Sequence, residues 1–259
     1  MRWFPWRRKD KGADDFPFAW RRILHRNVAL YRGLDAAQRL RLHRLILRFL
    51  DAKRFEGAGG MEITDEVRVT IAAQACLLVL GMDPKKPYPG LRTVIVYPSA
   101  YVARGKSVGP GGVVTEGPMV RAGESWSHQT GWGGAAGGPV VLAWDETLRG
   151  GVDLDGRNVT LHEFAHQLDG MSTGMDGAPP LGSRSQYAEW ARTLGAEFEA
   201  LRDQVALGLP TDLRAYGATN PAEFFAVATE AFFERPDMLR QMRPELFRRL
   251  VEFYRWTPS

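Results

Sequence analysis

Three residues of the sequence have types and a spacing suited to chemistry on a metal ion. His162, Glu163 and His166 form the pattern H-E-x-x-H within residues 159–170. On an α-helix, side chains four residues apart lie on one face, so the two imidazoles can bind the same ion. Glu163 is turned about 100° from His162, where it can face a water on the metal rather than the metal itself. The spacing therefore predicts the site of a zinc hydrolase.

The two histidines need a third protein ligand, because a catalytic zinc normally has three. The metzincin pattern is excluded, since it requires glycine at position 169 and histidine at position 172, where this chain has Asp169 and Ser172. Asp169 lies three residues after His166, further along the helix than a metal shared by the two histidines would lie. It therefore fits better as an acceptor for a histidine N–H, or as a group that caps the C-terminus of the helix, than as a metal ligand. Glu223 and Glu230, seven residues apart on one predicted helix face, are the remaining alternatives.

Helices predicted from apolar periodicity must position these side chains. The metal helix is predicted over residues 155–168, and a long amphipathic helix over residues 185–207 follows it. The next helix begins with Asn220 as N-cap and Pro221 as first residue, which places Glu223 in its first turn. Apolar periodicity and capping residues also predict helices over residues 18–31, 35–54, 64–80, 236–242 and 244–256.

Two segments rich in β-branched residues, 93–97 and 139–144, are predicted strands. The second precedes the metal helix, and this order suggests an edge strand that holds a substrate backbone by strand addition. Residues 105–138 are rich in glycine and lack periodicity, so a long loop with short strand pieces such as 112–115 is expected. These elements predict an α+β domain that is mainly helical, with a small sheet before the metal helix and an N-terminal helical layer.

Composition and cysteine usage limit the class of protein. A chain of 259 residues with 44% hydrophobic residues suits a packed globular core, and the net charge of +4 is spread widely. Cys76 is the single cysteine, lies in an apolar run and is expected to be a buried thiol in a reducing compartment. No apolar run of about 18 residues predicts a membrane span, and the basic, aromatic residues 1–9 do not resemble a secretory signal.

We therefore expect a cytoplasmic protein with a flexible tail over residues 1–15 and a single domain over residues 16–259. Neither a nucleic-acid partner nor a membrane span is expected.

Three further histidines have no ligand spacing. His25 and His43 fall in arginine-rich predicted helices, where surface positions are expected. His128 lies in the glycine-rich segment and either lines a cleft or is simply exposed. By contrast, the aromatic pairs of the Glu223 helix are expected in the core: Phe224, Phe225, Phe232 and Phe233.

Several of these motifs resemble the Mlc titration factor A (MtfA) family of bacterial zinc metallopeptidases. The similar segments are residues 162–169 (HEFAHQLD), Tyr97 with Pro98, residues 140–145 (VVLAWD), and the block from Tyr216 through residues 220–226 (NPAEFFA). The likeness covers most of the chain, from about residue 39 to the C-terminus. The last block also resembles the catalytic domain of anthrax lethal factor, a gluzincin.

The resemblance implies a gluzincin-like zincin fold with one Zn²⁺ per chain. By that resemblance the metal ligands are His162, His166 and Glu223, and Glu230 takes a supporting or packing role. Tyr216 is implied to lie over the reacting carbonyl, while the H-E-x-x-H pattern makes Glu163 the general base.

The resemblance also implies two functions. The first is hydrolysis of peptide bonds in a peptide or protein substrate, and MtfA-like proteins are associated with aminopeptidase activity. The second is regulation of transcription by sequestering a repressor of the Mlc type. The repressor-binding role either accompanies catalysis or replaces it, with the zinc site then regulatory or structural.

Overall fold

The computed structural model describes residues 16–108, 114–125, 138–172 and 174–258. The expected tail over residues 1–15 lies outside these ranges, as does His128. The described chain is mainly helical with a small sheet, as the sequence predicts. No helix within it is long and apolar enough to cross a membrane.

The N-terminal layer is built around one buried helix. Thr64 caps this helix by accepting a hydrogen bond from the Val67 N–H, and every residue from Val69 to Leu78 is buried, including the free cysteine Cys76. The expected single helix over residues 18–31 is wrong, because Val28 adopts an extended conformation and divides it in two. The helices of this layer are α1 (Phe18–Asn27), α2 (Ala29–Arg32), α3 (Ala36–Ala52) and the buried α4 (Asp65–Leu78).

Two sheets follow from six strands. The strands are β1 (Arg54–Gly57), β2 (Thr93–Tyr97), β3 (Tyr101–Val108), β4 (Val114–Arg121), β5 (Gly123–Ser125) and β6 (Val140–Ala143). The larger sheet has the order β1-β2-β6-β5; β1, β2 and β6 run parallel and β5 pairs antiparallel with β6. The expectation of an edge strand over residues 139–144 is therefore wrong. β6 lies inside the sheet, and β5 covers its outer side.

The glycine-rich segment, expected as a long loop with short strand pieces, has longer strands than expected in its described part. β3 and β4 form an antiparallel ribbon that pairs Tyr101 with Arg121 at one end and Val108 with Val114 at the other. The two strands pair through backbone hydrogen bonds, which any residue type can make. A strand prediction that depends on alternating apolar residues therefore does not detect this ribbon.

The C-terminal half is helical and carries the predicted site. Its helices are α5 (Trp144–Val152), α6 (Val159–Asp169), α7 (Arg184–Ala206), α8 (Pro221–Glu234), α9 (Pro236–Met242) and α10 (Pro244–Tyr254). The metal helix α6 begins four residues later than expected, because Asn158 is its N-cap and accepts a hydrogen bond from the Leu161 N–H. Phe164 of α6 packs in the core beside Phe49 and Tyr88.

Helix α8 packs directly on α6. Its four phenylalanines, Phe224, Phe225, Phe232 and Phe233, are buried as expected. The packing places the polar face of α8 against the histidine face of α6, and this contact forms the site.

Candidate metal centre

Three side-chain atoms from α6 and α8 converge on one point. His162 Nε2 lies 2.9 Å from Glu223 Oε2, His166 Nε2 lies 3.4 Å from the same oxygen, and the two Nε2 atoms are 3.2 Å apart. Zinc bonds of about 2.0–2.2 Å in a tetrahedron separate neighbouring ligands by about 3.3–3.6 Å. The three atoms lie close to these separations, so the donor set fits one small divalent cation.

The chemistry of the three donors also favours a cation. Each histidine turns a ring nitrogen towards its neighbour, and two such nitrogens at 3.2 Å can share at most one proton. A carboxylate oxygen completes the triangle. A shared metal satisfies all three lone pairs at once, which a single proton cannot do.

Local rules of helix geometry place each of the three ligands. One helical turn separates His162 from His166, which puts both imidazoles on one side of α6. Asn220 caps α8 by accepting a hydrogen bond from the Glu223 N–H at 3.0 Å, and Pro221 is the first helical residue. Glu223 therefore projects from the first turn of α8 towards the histidine face.

Glu230 binds the opposite side of the His162 ring. Its Oε2 lies 3.2 Å from His162 Nδ1, and its Oε1 accepts the Asn158 N–H at 2.8 Å. Arg214 Nη1 lies 2.8 Å from both oxygens, and Glu230 is only 1% exposed. An Nδ1–H that donates to Glu230 leaves the Nε2 lone pair free for a metal. The structure therefore separates the two glutamates: Glu223 faces Nε2, and Glu230 faces Nδ1.

The charges of the histidines and glutamates in this cluster act strongly on one another. Burial alone lowers the pKa of His162, but the carboxylates of Glu230 and Glu223 outweigh it and raise this pKa to about 10. Burial acts to raise the pKa of Glu223, yet its hydrogen bonds to His162 and His166 hold that pKa well below its ordinary value. The directions of these shifts favour opposite charges on His162 and Glu223, and binding of a cation at Nε2 would release the histidine proton.

Asp169 does not accept a histidine N–H among the described residues. Its Oδ2 instead accepts the N–H of Gly177 at 2.9 Å, so it ties the end of α6 to the loop that follows. Asp169 Oδ1 and His166 Nδ1 are buried without a hydrogen-bond partner in the described ranges. Burial raises the pKa of Asp169 to about 6. The expected role as a histidine acceptor is therefore not observed.

Glu163 and Tyr216 border the cluster on two sides. Glu163 is buried beneath β5, where a Cβ atom at Gly123 would lie 2.8 Å from Glu163 Oε1. Only glycine lets the strand come this close to the carboxylate. Tyr216, on the 3₁₀ turn Ala215–Ala218, is 49% exposed, and its ring centroid lies 5.9 Å from that of His162.

Sequence reasoning missed Gly123 and Arg214. Both lie in segments without periodicity, and neither residue type has a characteristic spacing to the histidines. One weak signal for Arg214 was available, since it stands two residues before Tyr216.

Of the other histidines, His25 is exposed as expected, whereas the expectation of a surface position for His43 is wrong because it lies on the buried face of α3.

Comparison with known proteins puts the chain in the class of metallopeptidases. It belongs to the family of glucose-regulated metallo-peptidases M90, whose model matches residues 3–255. Membership of this family implies a metal ion, in agreement with the donor set described above. The likeness to the lethal factor catalytic domain stays a prediction.

Similar proteins span nearly the whole chain. An uncharacterized protein of Synechocystis is 41% identical over 254 residues, which cover 97% of this chain and 89% of that protein. Mlc titration factor A of Klebsiella pneumoniae is 30% identical, covering 98% of this chain and 92% of its own length. The Cronobacter sakazakii protein of the same name is 31% identical and covers 100% and 92%, respectively. The resemblance to the MtfA family is thus confirmed.

Proposed function

We propose that this protein is a zinc-dependent peptidase of the gluzincin type, in which His162, His166 and Glu223 hold one Zn²⁺. The observation that carries this proposal is the convergence of their three ligand atoms at separations of 2.9–3.4 Å. Membership of a metallopeptidase family supports it independently. The lone buried cysteine, Cys76, is consistent with a cytoplasmic location.

The proposed chemistry divides between the metal and two side chains. A bound divalent metal supplies a Lewis acid that polarises the substrate carbonyl and makes a water more acidic. Glu163 accepts the proton of the attacking water and passes it to the leaving amine. Tyr216 donates a hydrogen bond from its hydroxyl to the oxyanion, where the negative charge develops.

The edge strand β5 is the proposed platform for an extended substrate. β5 pairs with β6 on one side, and no strand of the described chain pairs with its other side. Gly123 places this strand directly over Glu163. A peptide that adds to β5 would therefore bring a carbonyl towards the general base.

Chromogenic peptide hydrolysis tests the enzyme proposal directly. We expect activity that a chelator abolishes and that added Zn²⁺ restores. Glu163→Gln should keep Zn²⁺, because the substitution removes no ligand, but should lose at least about 10³-fold in turnover because an amide cannot accept the proton. Hydrolysis by this variant at the wild-type rate would show that Glu163 is not the base.

Action at the amino end of substrates is a finer proposal that rests on the family resemblance. An aminopeptidase requires a free α-amino group, so acetylation of the peptide should abolish cleavage. Equal cleavage of free and acetylated peptides would instead indicate an endopeptidase.

Binding of a transcriptional repressor is the second candidate function. The name Mlc titration factor A, carried by relatives about 30% identical over nearly the full chain, favours it. A pull-down with a purified repressor of that type separates the two functions. Equal capture by wild type and by Glu163→Gln would support binding that does not depend on catalysis.

A further inference from the structure

We propose that Arg214 is a positioning residue that couples the metal ligand His162 to Tyr216. The inference rests on the proposed function, because it assigns Arg214 a role at the same zinc site. Within the described chain, the side chain of Arg214 hydrogen-bonds to Glu230 and not to His162, His166 or Glu223. It acts through Glu230 on one side and through the 3₁₀ turn Ala215–Ala218 on the other.

The first link runs from Arg214 to His162 through a buried carboxylate. Arg214 Nη1 lies 2.8 Å from each oxygen of Glu230, and Glu230 Oε2 in turn lies 3.2 Å from His162 Nδ1. Arg214 is the one permanent cation that pairs with Glu230 in the described chain. A buried carboxylate is stable only when paired and hydrogen-bonded, so Arg214 holds this group in the orientation that His162 requires.

The second link runs from Arg214 to Tyr216 through the backbone. Arg214 immediately precedes the 3₁₀ turn, and its carbonyl accepts the N–H of Gly217 at 3.0 Å. Its guanidinium carbon also lies 5.9 Å from the centroid of the Tyr216 ring. Gly217 is buried, and a Cβ atom there would lie 3.3 Å from Leu201 and Val227. The turn is therefore fixed at its start by the ion pair and in its middle by packing.

Glu230 also anchors the beginning of α6. Its Oε1 accepts the N–H of Asn158, the N-cap of that helix. One turn further along α8, Glu234 accepts the N–H of Gly156 at 2.9 Å. The Arg214–Glu230 pair thus orients the ring of His162 and supports the helix that carries it, which are two routes to the same ligand.

Loss of Arg214 should weaken metal binding and turnover together. Partners that orient ligating histidines typically contribute 10–100-fold to metal affinity or activity. For Arg214→Ala we expect the Zn²⁺ Kd to rise about 10-fold or more. We also expect kcat to fall about 10-fold or more while KM stays within about twofold, because Tyr216 acts mainly in the transition state.

Arg149 provides a matched control. Its side chain is 33% exposed against 36% for Arg214, and it pairs with the carboxylates of Glu146 and Asp155. Within the described chain, its side-chain hydrogen bonds go to these two carboxylates rather than to His162 or Tyr216. Arg149→Ala should lower the melting temperature less than Arg214→Ala, because Glu146 and Asp155 are partly exposed, and should leave the Zn²⁺ Kd and kcat at wild-type values.

The experiment uses the full chain and compares wild type, Arg214→Ala, Arg214→Lys and Arg149→Ala. It measures the Zn²⁺ Kd by competition with a chelator, kcat and KM on a chromogenic peptide, and the melting temperature. Arg214→Lys keeps the cation and guards against failure of the alanine variant to fold. It should regain part of the Zn²⁺ affinity, since an ammonium group still pairs with Glu230 but lacks the planar guanidinium geometry.

Two outcomes would overturn the role of Arg214. One is a Zn²⁺ Kd and a kcat within twofold of wild type in Arg214→Ala; the other is an equal loss in Arg149→Ala. Failure of the proposed function gives a different result. If wild type binds Zn²⁺ but cleaves no peptide, the protein is not a peptidase, and the Zn²⁺ affinities of the variants still test the role of Arg214. Wild type that binds no Zn²⁺ would overturn both.

Discussion

Two histidines of this protein are buried to a similar degree in opposite surroundings. His43 of α3 is 4% exposed, and its ring stacks on Phe16 at 4.0 Å between centroids. Its Nε2 lies 2.9 Å from the hydroxyl of Tyr31. His162 of α6 is 8% exposed, but carboxylates face both of its ring nitrogens.

The surrounding charges have opposite effects on the two rings. Burial lowers the pKa of His43 to about 4, and the nearby Arg21 and Arg39 act in the same direction. Burial also acts to lower the pKa of His162, but Glu230 and Glu223 outweigh it and raise that pKa to about 10. Burial of a histidine therefore does not distinguish a metal ligand from a core residue. What separates His162 from His43 is a carboxylate at Nδ1 together with the side-chain atoms of His166 and Glu223 that converge at Nε2.

Replacing each histidine by alanine tests this difference and should give the largest effects. His162→Ala removes a proposed ligand and should abolish Zn²⁺ binding and peptidase activity together. His43→Ala removes a stacked ring and one hydrogen bond, so it should cost about 1–3 kcal/mol of unfolding free energy. The zinc content of the purified variants and denaturant unfolding would measure the two effects. Loss of zinc in His43→Ala would contradict the distinction.

Tyr216→Phe tests a group that borders the cluster without being a ligand. The phenyl ring keeps the packing beside His162 but cannot donate a hydrogen bond to the oxyanion. We expect kcat to fall about 10²-fold with zinc content unchanged. Steady-state kinetics with a metal assay on the same samples would show this. An unchanged kcat would exclude Tyr216 from transition-state stabilisation.

Gly123→Ala tests how closely the edge strand must approach Glu163, the proposed general base. The new Cβ would overlap Val159 Cγ2 and lie 2.8 Å from Glu163 Oε1, so strand or carboxylate must move. Small displacements of a reacting group reduce turnover, and we expect a fall in kcat of about 10-fold. Zinc affinity should not change, since no ligand moves. Wild-type turnover in this variant would show that the close approach is unimportant.

Glu234→Gln extends the comparison of buried titratable groups to an acid that has no histidine partner in the described chain. The pKa of Glu234 is raised to about 8, mainly by burial, and the charges of Glu230 and Asp155 act in the same direction. The folded state therefore keeps a proton that the unfolded state loses at its ordinary pKa of 4.5. The unfolding free energy of wild type should fall as the pH rises from about 5 to about 8.

The glutamine variant lacks this titration, so its unfolding free energy should vary less over the same range. Melting curves of both proteins at several pH values would measure a difference of a few degrees, largest at the alkaline end. Parallel pH profiles for the two proteins would contradict the raised pKa of Glu234.

Much of the fold could be read from the sequence because helices depend on local rules. The N-cap residues Thr64 and Asn220 mark the starts of α4 and α8, and apolar periodicity marks the length of α7. The predictions that were wrong concern strand order and burial, which depend on contacts between segments distant in the chain. No local pattern marks β5 as a strand, and without β5 the strand β6 would lie at the edge of the sheet. The burial of His43 depends on Phe16 and Tyr31, which lie outside α3.

The parts of the site that depend on helix geometry follow from the order of residues along the chain. The spacing of His162 and His166 places them on one face of α6, and the cap at Asn220 places Glu223 in the first turn of α8. Which nitrogen of the His162 ring each glutamate faces, and which residues support the three proposed ligands, is seen only in the tertiary structure. Glu230, Arg214 and Gly123 obtain their places from packing between elements far apart in the chain, and no local pattern encodes such contacts.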